Sequence, residues 1–216
     1  NPFTIPQWNG YIQEGIRLAG YDDSKVYLQV TRGVAPRDHI FPPGTAATAV
    51  MTIREMRPLD PAIQTAGVGV IMLADFRWGR CDIKSLNLLP NVMARQRAKK
   101  AGAYEAIFVR HDLITEGAVS NVMVVREEMV MTPPESSSIL SGVTRRVVLD
   151  LAKEEGFFVR EQDITREEFQ TAEEIFLTGT TMEVMPVVSA DGVPISNGRR
   201  GRVTERLSAR FRGMTG

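Results

Sequence analysis

The sequence lacks the features of several large protein classes. It contains one cysteine, Cys81, so an internal disulfide is impossible and the chain suits a reducing cytoplasm. Lysine plus arginine and aspartate plus glutamate each number 26, so no net charge draws the chain to nucleic acid or an anionic membrane. No apolar run approaches the roughly 20 residues of a membrane-spanning helix, and the longest, 66–76, predicts a buried strand. A small molecule or another protein remains as the expected partner.

The composition is that of a globular protein. The 216 residues are 43% hydrophobic and 24% charged, which is enough to bury a core as one large domain or two small ones. The segment RPLDP at 57–61 has prolines on both sides of an acidic residue, a pattern typical of an extended linker. We predict the remainder of a small N-terminal domain at 1–57, a linker at 58–61 and a larger domain at 62–216.

Strand and helix signals are mixed along the chain without a strict β-α-β order. Alternating apolar and β-branched residues predict strands at 25–31, 48–53, 67–73, 105–109, 119–125, 129–131 and 174–177. Apolar residues at helical spacing, with proline or glycine at the ends, predict helices at about 90–101, around 143–151 and around 203–211. The predicted class is therefore α+β (mixed α/β).

One lysine lies in an unexpected place. Lys84 is in the stretch RCDIKSLNLL at 80–89, which has the apolar character of a strand, so its side chain should be buried, paired or extended toward water. Imine chemistry requires an amine that is partly neutral and held in a dry pocket. A lysine on an edge strand that reaches solvent is the ordinary structural alternative.

Two hydroxyl-rich turns are candidates for binding a phosphate. The turn SGVT at 141–144 stands at a predicted helix start, where free N–H groups and the helix dipole favour an anion. The turn TGTT at 178–181 follows a predicted strand. Most such turns are simply helix caps. Glu116, before the strand at 119–125, could hold a protonated ring nitrogen if it is buried; a glutamate on a surface turn is the alternative.

Basic residues occur in two further places. Arg37 and His39 lie in a loop, RGVAPRDH, and could together bind a carboxylate, since arginine offers two parallel donors. Pairing with Asp38 and solvent is the alternative. The arginines near the C-terminus have no aromatic residues between them, so we interpret them as a solvated helix face rather than a nucleic-acid site; they are Arg199, Arg200, Arg202, Arg206, Arg210 and Arg212.

Six of these segments, in this order, resemble a known family. VYLQVTRGVAPRDH, DFRWGRCDIKSLNLLPNV, YEAIFVR, TEGAVSNV, ILSGVTR and LTGTTMEVMPV are similar to motifs of the fold-type IV enzymes that use pyridoxal 5'-phosphate (PLP), and most of all to D-amino-acid transaminases. The likeness covers about 26–187. It implies a cytoplasmic, homodimeric PLP-dependent transaminase that moves an amino group between a D-amino acid and a 2-oxo acid, without a metal.

The resemblance also assigns roles to individual residues. Lys84 matches the lysine that carries the cofactor as an internal aldimine and later moves the proton, and Glu116 matches the carboxylate that pairs with the pyridine nitrogen. Leu140 matches a residue that packs on the cofactor ring. The phosphate is expected at Val143, Thr144 and Thr180. Arg37 and His39 match the loop that binds the substrate α-carboxylate in the neighbouring subunit's site.

The sequence departs from the family in two ways. No residues here match the family's N-terminal segment, which carries an arginine for the phosphate and a tyrosine near the substrate carboxylate. The family's turn near Glu116 is rich in serine, whereas this chain has AVS at 118–120. The missing segment leaves an inactive PLP-binding or dimerisation fragment open as an alternative. A branched-chain L-amino-acid aminotransferase and an aminodeoxychorismate lyase stay open as other enzymes of the same fold.

Overall fold

The computed structural model describes residues 1–215 and their side chains as far as Met214. The chain divides into two compact units, Asn1–Pro58 and Leu59–Gly216, and each is described by itself. The first unit contains helix α1, Ile5–Ala19, and an antiparallel hairpin of β1, Ser24–Thr31, and β2, Thr48–Glu55. The assignment of 58–61 as a linker remains a prediction.

Helix α1 has well-formed ends. The Thr4 hydroxyl accepts a hydrogen bond from the Gln7 N–H, and the Gln7 side chain accepts one from the Thr4 N–H, which together form a capping box. Gly20 ends the helix in the left-handed conformation, with φ of 67°. This helix was not predicted from the sequence.

The second unit contains a mixed sheet of nine strands within the described residues. The strands lie in the order β5-β4-β3-β10-β9-β6-β7-β8, and β11 pairs with β10. β3 is parallel to β4 and β10, and β7 is parallel to β8; the other pairs are antiparallel. The bounds are β3 Val68–Ala74, β4 Glu105–Arg110, β5 Leu113–Gly117, β6 Asn121–Arg126, β7 Met129–Thr132, β8 Phe158–Glu161, β9 Glu174–Gly179, β10 Glu183–Ala190 and β11 Val193–Pro194.

Five helices accompany this sheet in the described chain. They are α2 Pro61–Ala66, α3 Leu89–Lys100, α4 Val143–Glu154, α5 Arg166–Gln170 and α6 Arg202–Thr215. The parallel pair β3–β4 requires a crossover connection, and α3 supplies it. The segment 75–88 therefore runs between the carboxyl end of β3 and the start of α3.

The core lies on both faces of the sheet. Val122, Leu177 and Met185 belong to one buried cluster, and Met123 and Phe176 belong to a second cluster with residues of α4 and α6. Successive residues of β6 and β9 thus face opposite sides, as strand geometry requires. A strand buried on both faces is apolar throughout, which explains why β4, β6 and β9 were recognisable in the sequence.

The predicted α+β class is confirmed, and all the predicted strands and helices are present with small differences at their ends. The strand-like interpretation of 80–89 is wrong: this stretch has no strand and lies in the connection between β3 and α3. β5, β8, β10 and the short helices α2 and α5 were not predicted. In the described part of the chain, no helix is both long and apolar enough to cross a bilayer.

The C-terminal arginines lie on helix α6 or directly before it. Arg202, Arg206, Arg210 and Arg212 are exposed residues of the helix, as a solvated helix face requires, whereas Arg199 and Arg200 precede it. Four of the six side chains pair with glutamates: Arg200 with Glu205, Arg202 with Glu128, Arg206 with Glu155, and Arg210 with Glu154 and Glu155.

Candidate active site

Glu116 lies in strand β5, and its carboxylate is buried. Its Oε2 accepts hydrogen bonds from the Leu140 N–H at 2.9 Å and from the Asn121 side-chain amide at 3.2 Å. Its Oε1 accepts one from the Arg77 guanidinium. The alternative of a glutamate on a surface turn is therefore wrong, because the side chain is 8% exposed and is held by three donors from three different segments.

The charges around Glu116 act in opposite directions. Burial raises the pKa of the Glu116 carboxyl above its ordinary value, although the Arg77 charge and the Leu140 N–H lower it. Asp75 is the second carboxylate beside Arg77. Burial favours a higher pKa there too, but hydrogen bonds and charge from Arg77, with the charge of Arg110, outweigh burial and lower the pKa of Asp75.

Leu140 connects Glu116 to the start of helix α4. Its N–H donates to Glu116, and its carbonyl accepts from the Asn121 amide at 2.8 Å. The helix begins two residues after Ser141, with Gly142 as N-cap and no side-chain cap on the first N–H groups. A Cβ on Gly142 would lie 2.1 Å from Asn121 Oδ1, so only glycine allows this close approach. The helix start is thus positioned beside Asn121.

The two predicted phosphate-binding residues on α4 have different environments. Thr144 is buried, whereas Val143 is exposed. An uncapped first turn leaves backbone N–H groups available to an anion. The phosphate-binding roles of Val143 and Thr144 remain predictions.

The second hydroxyl-rich turn joins β9 to β10. Thr180 is exposed in this turn. Thr178, two residues earlier, is opposite Asn121 in the antiparallel ladder, so the two side chains share one face of the sheet. Thr178 Oγ1 is buried, and it has no hydrogen-bond partner among the described residues. The turn therefore begins on the same face of the sheet as Asn121, one of the three donors that hold Glu116.

Lys84 is an exposed residue in the segment 75–88. The first half of this segment is tied to the Glu116 region, since the Cys81 N–H donates to the Ser137 carbonyl at 2.8 Å and Arg77 pairs with Glu116. Lys84 follows Cys81 by three residues, a span of at most about 10 Å. Of the three expectations for its side chain, burial is excluded by this exposure, and the catalytic role of Lys84 remains a prediction.

Arg37 and His39 lie in the first unit, in the exposed loop between β1 and β2. The His39 N–H donates to the Asp38 carboxylate at 2.6 Å. Their proposed role in carboxylate binding is untested by this arrangement and remains a prediction.

Three residues of this site were missed in the sequence: Asp75, Arg77 and Asn121. Asp75 and Arg77 lie within the quoted motif DFRWGR, directly after an apolar strand. Two charged residues directly after a buried strand could have indicated that they belong to the site. Asn121 gave a weaker one, a polar side chain at the start of a strand that is otherwise apolar.

Comparison with known proteins identifies the family. Residues 1–190 match the family described as amino-transferase class IV. The chain is 42% identical over 206 residues to a D-alanine aminotransferase from Bacillus licheniformis, covering 95% of this chain and 72% of that protein. It is 41% identical over 211 residues to a D-alanine aminotransferase from Staphylococcus epidermidis, covering 97% of this chain and 74% of that protein.

Solved structures give the same family. A branched-chain amino acid aminotransferase from Escherichia coli matches with a TM-score of 0.85 and 27% identity, covering 98% of this chain and 71% of that chain. The branched-chain enzyme from Thermobaculum terrenum, solved in its PLP form, matches with a TM-score of 0.84 and 25% identity, again covering 98% and 71% of the two chains. The predicted fold type and enzyme class are therefore confirmed, and the chain belongs to the class IV aminotransferases.

Proposed function

We propose that this protein uses PLP to move an amino group between a D-amino acid and a 2-oxo acid. The observation that carries the proposal is the buried Glu116 carboxylate. A carboxylate has about four acceptor positions. Among the described residues, Leu140 and Asn121 donate to the two positions on Oε2, and Arg77 donates to one position on Oε1. The second position on Oε1 is left for a further donor. A protonated pyridine nitrogen is a donor that suits this remaining position.

We assign the phosphate of the cofactor to the two hydroxyl-rich turns. The uncapped first turn of α4 offers backbone N–H groups and the positive end of a helix dipole. Thr180 and Thr144 add hydroxyl donors, and Thr178 has a buried hydroxyl that lacks a partner in the described part of the chain. These donors are all uncharged. They suit the phosphate dianion, while the charge of the nearby Glu116 carboxylate is neutralised separately by Arg77.

The chemistry follows from these assignments. A bound PLP supplies an electron sink for the charge that remains when a proton leaves the substrate α-carbon. The Lys84 amine holds the cofactor, and once free it takes that proton at Nζ and returns it, as a positioned general base and acid. Glu116 keeps a proton at the pyridine nitrogen. Leu140 and Asn121 hold Glu116 in position for that task.

Preference for the D-enantiomer is part of the proposal. It is supported by the identity of 42% with a relative named D-alanine aminotransferase, compared with 27% and 25% for the two branched-chain enzymes of similar fold. We assign binding of the substrate α-carboxylate to Arg37 and His39. One fixed carboxylate anchor and one fixed base together select a single enantiomer, because the mirror-image substrate turns its α-hydrogen away from the base.

We also propose a cytoplasmic homodimer. The single cysteine, Cys81, supports the location, since no internal disulfide can form. Exposed apolar side chains on α3 support self-association: Leu89, Val92 and Met93 recur at helical spacing and are 71%, 60% and 51% exposed. Beside them is a cavity of about 490 Å³ between α3 and Tyr104.

A steady-state substrate panel tests the proposed reaction. The purified protein is given D-alanine, L-leucine or aminodeoxychorismate, with 2-oxoglutarate as acceptor for the amino acids. We expect D-alanine to be turned over fastest. Faster turnover of L-leucine would establish the branched-chain alternative, and turnover of aminodeoxychorismate alone would establish the lyase; either result would overturn the proposal.

Arg37→Ala tests the carboxylate anchor in the same assay. Loss of a charge-assisted contact costs about 2–4 kcal/mol. We therefore expect kcat/KM for D-alanine to fall on the order of 100-fold, at about 1.4 kcal/mol per tenfold. Arg54→Ala removes an exposed arginine from β2 of the same unit and should leave kcat/KM unchanged. Equal effects of the two substitutions would remove Arg37 from the site.

A further inference from the structure

Arg77 is the most heavily paired buried side chain next to Glu116. Its side chain is 3% exposed. Besides Glu116, it donates to the Ser138 carbonyl at 2.9 Å and to the Thr115 hydroxyl at 3.2 Å, and it lies 4.4 Å from the centre of the Phe108 ring. A buried arginine with partners on every side has one orientation available, so its charge is fixed in space.

Asp75 sets that orientation. Arg77 Nε and Nη2 donate to the two oxygens of the Asp75 carboxylate, each at 3.0 Å, in the two-pronged geometry that suits a guanidinium. This leaves Nη1 directed at Glu116. On its other side, Asp75 pairs with Arg110 at 3.1 Å. The result is a row of alternating charges that begins at Arg110 and ends at Glu116.

We propose that Arg77 is a positioning residue for the proposed reaction: held by Asp75, its guanidinium keeps Glu116 ionised and directs its free acceptor position toward the pyridine nitrogen. This inference rests on the proposed function. It assigns to Arg77 a role in the chemistry of Glu116, and not only in the packing of segment 75–88.

The chemical reason concerns one shared proton. A proton between the pyridine nitrogen and Glu116 stays on the nitrogen only if the carboxylate is the weaker base. Burial makes Glu116 a stronger base, because a charged carboxylate is poorly solvated there. The adjacent guanidinium opposes burial, and without it the proton would move to the carboxyl group. The ring would then lose its positive charge and accept electrons less readily.

Few other titratable groups are near Glu116 in the described chain. Asp75 and Cys81 lie in the same segment as Arg77, and both interact with this charge network. Burial raises the pKa of the Cys81 thiol, so it is neutral at pH 7. Arg110 acts through Asp75. Arg77 is therefore the cation in direct contact with Glu116.

Isotope-edited infrared spectroscopy tests the proposal before any cofactor is added. Protein labelled with ¹³C-glutamate is titrated, and the Glu116 band is identified by its loss in Glu116→Gln. In the wild type we expect the ionised carboxylate at pH 7. In Arg77→Met we expect the midpoint of this titration to move up by about 1–3 pH units. An unchanged midpoint would overturn the proposal.

Two further variants keep the test decisive. Arg110→Met removes the other cation bound to Asp75 without touching Glu116, and its Glu116 midpoint should match the wild type. If Arg77→Met does not fold, Arg77→Lys decides, since it retains a charge but cannot bind Asp75 and Glu116 in parallel. Its midpoint should also move upward. A midpoint equal to that of the wild type, or an equal shift in Arg110→Met, would contradict a specific role for Arg77.

A second measurement follows the addition of PLP labelled with ¹⁵N in the ring. We expect a protonated ring nitrogen in the wild type and a deprotonated one in Arg77→Met at the same pH. If the infrared shift is found but the wild-type ring nitrogen is not protonated, the proposed function fails while the control of Glu116 by Arg77 stands. If the infrared shift is missing and the ring nitrogen is protonated in both proteins, the role of Arg77 fails alone.

Discussion

At the residue scale, Glu105 is a buried carboxylate outside the proposed reaction. Its Oε1 accepts from the Ala106 N–H at 2.8 Å and from Arg95 at 3.2 Å. Its Oε2 accepts from the Val119 N–H and the Ser120 hydroxyl, each at 3.3 Å. Burial raises the pKa of Glu105. It joins the start of β4 to the turn that follows Glu116, so we expect it to stabilise that turn.

Glu105→Gln should destabilise the fold in a pH-dependent way. The NH₂ group introduced by this substitution would face hydrogen-bond donors at either oxygen position, and it cannot accept from them. We expect this to lower the free energy of unfolding by about 1–3 kcal/mol at pH 5. A carboxyl group whose pKa is raised in the folded protein adds to the free energy of unfolding when it is protonated. This contribution is complete below the unfolded glutamate pKa of about 4.3 and is lost as the pH rises through the folded pKa. The difference in the free energy of unfolding between variant and wild type, measured by denaturant titration, should therefore be smaller at pH 7 than at pH 5.

The control is Glu154→Gln, since Glu154 is exposed on α4. We expect its free energy of unfolding to stay within about 0.5 kcal/mol of the wild type at both pH values. A Glu105→Gln deficit that stays constant or widens between pH 5 and pH 7 would mean that the folded pKa of Glu105 is not raised.

Single residues of the site were predictable only where a motif pointed to them. Glu116 was identified by resemblance, whereas the local pattern alone favoured a glutamate on a surface turn. Arg77 and Asn121 were missed because their roles come from side-chain contacts with Glu116, which is 39 and 5 residues away in sequence, and these contacts form only in the folded chain. The apolar neighbours of Lys84 left burial, pairing and extension toward water open, and in the folded chain Lys84 is exposed, as are Ile83 and Leu86.

At the scale of elements, the start of α4 depends on a close approach. A Cβ on Gly142 would lie 2.1 Å from Asn121 Oδ1, while the backbone at φ of −71° and ψ of 135° is open to any residue. Gly142→Ala should therefore act through steric displacement of Asn121 rather than backbone strain. We expect a loss of about 1–3 kcal/mol in the free energy of unfolding, together with weaker binding of PLP.

Gly213→Ala is the matched substitution. Gly213 lies inside helix α6, and an added Cβ meets nothing within 4 Å. Alanine is favoured over glycine in a helix by about 0.5–1 kcal/mol, so this variant should be slightly more stable. Thermal unfolding of both proteins checks the pair. Equal changes in Tm would contradict a specific contact between residue 142 and Asn121.

The elements that were predicted share strong local signals. β4, β6 and β9 are apolar throughout, and α4 has apolar residues at helical spacing with glycine before it. β5 was not predicted because its sequence, LITEG, places a polar pair in the strand. Those polar side chains are buried only because Arg77 and its neighbours bind them. At 80–89 a strand was predicted where none exists, because the segment that connects β3 to α3 is apolar enough to resemble one.

At the scale of the whole molecule, the family, the enzyme class and the fold class were predictable because six motifs appear in the family's order. The homodimer was expected from the resemblance alone, because the exposed apolar surface on α3 is visible only in the folded chain. Val92→Glu places a charge on the exposed face of α3 and should convert a dimer to a monomer in sedimentation experiments. Lys153→Glu on α4 should remain dimeric. A monomeric wild-type protein would contradict the proposed homodimer.

The central claim is that Lys84 holds the cofactor, and covalent labelling tests it most directly. The protein is incubated with PLP, reduced with borohydride, digested and analysed by mass spectrometry. We predict a single phosphopyridoxyl group on the peptide that contains Lys84, and none in Lys84→Ala. Labelling instead at Lys99 or Lys100, at the end of α3, or no stable label in the wild type, would contradict the account.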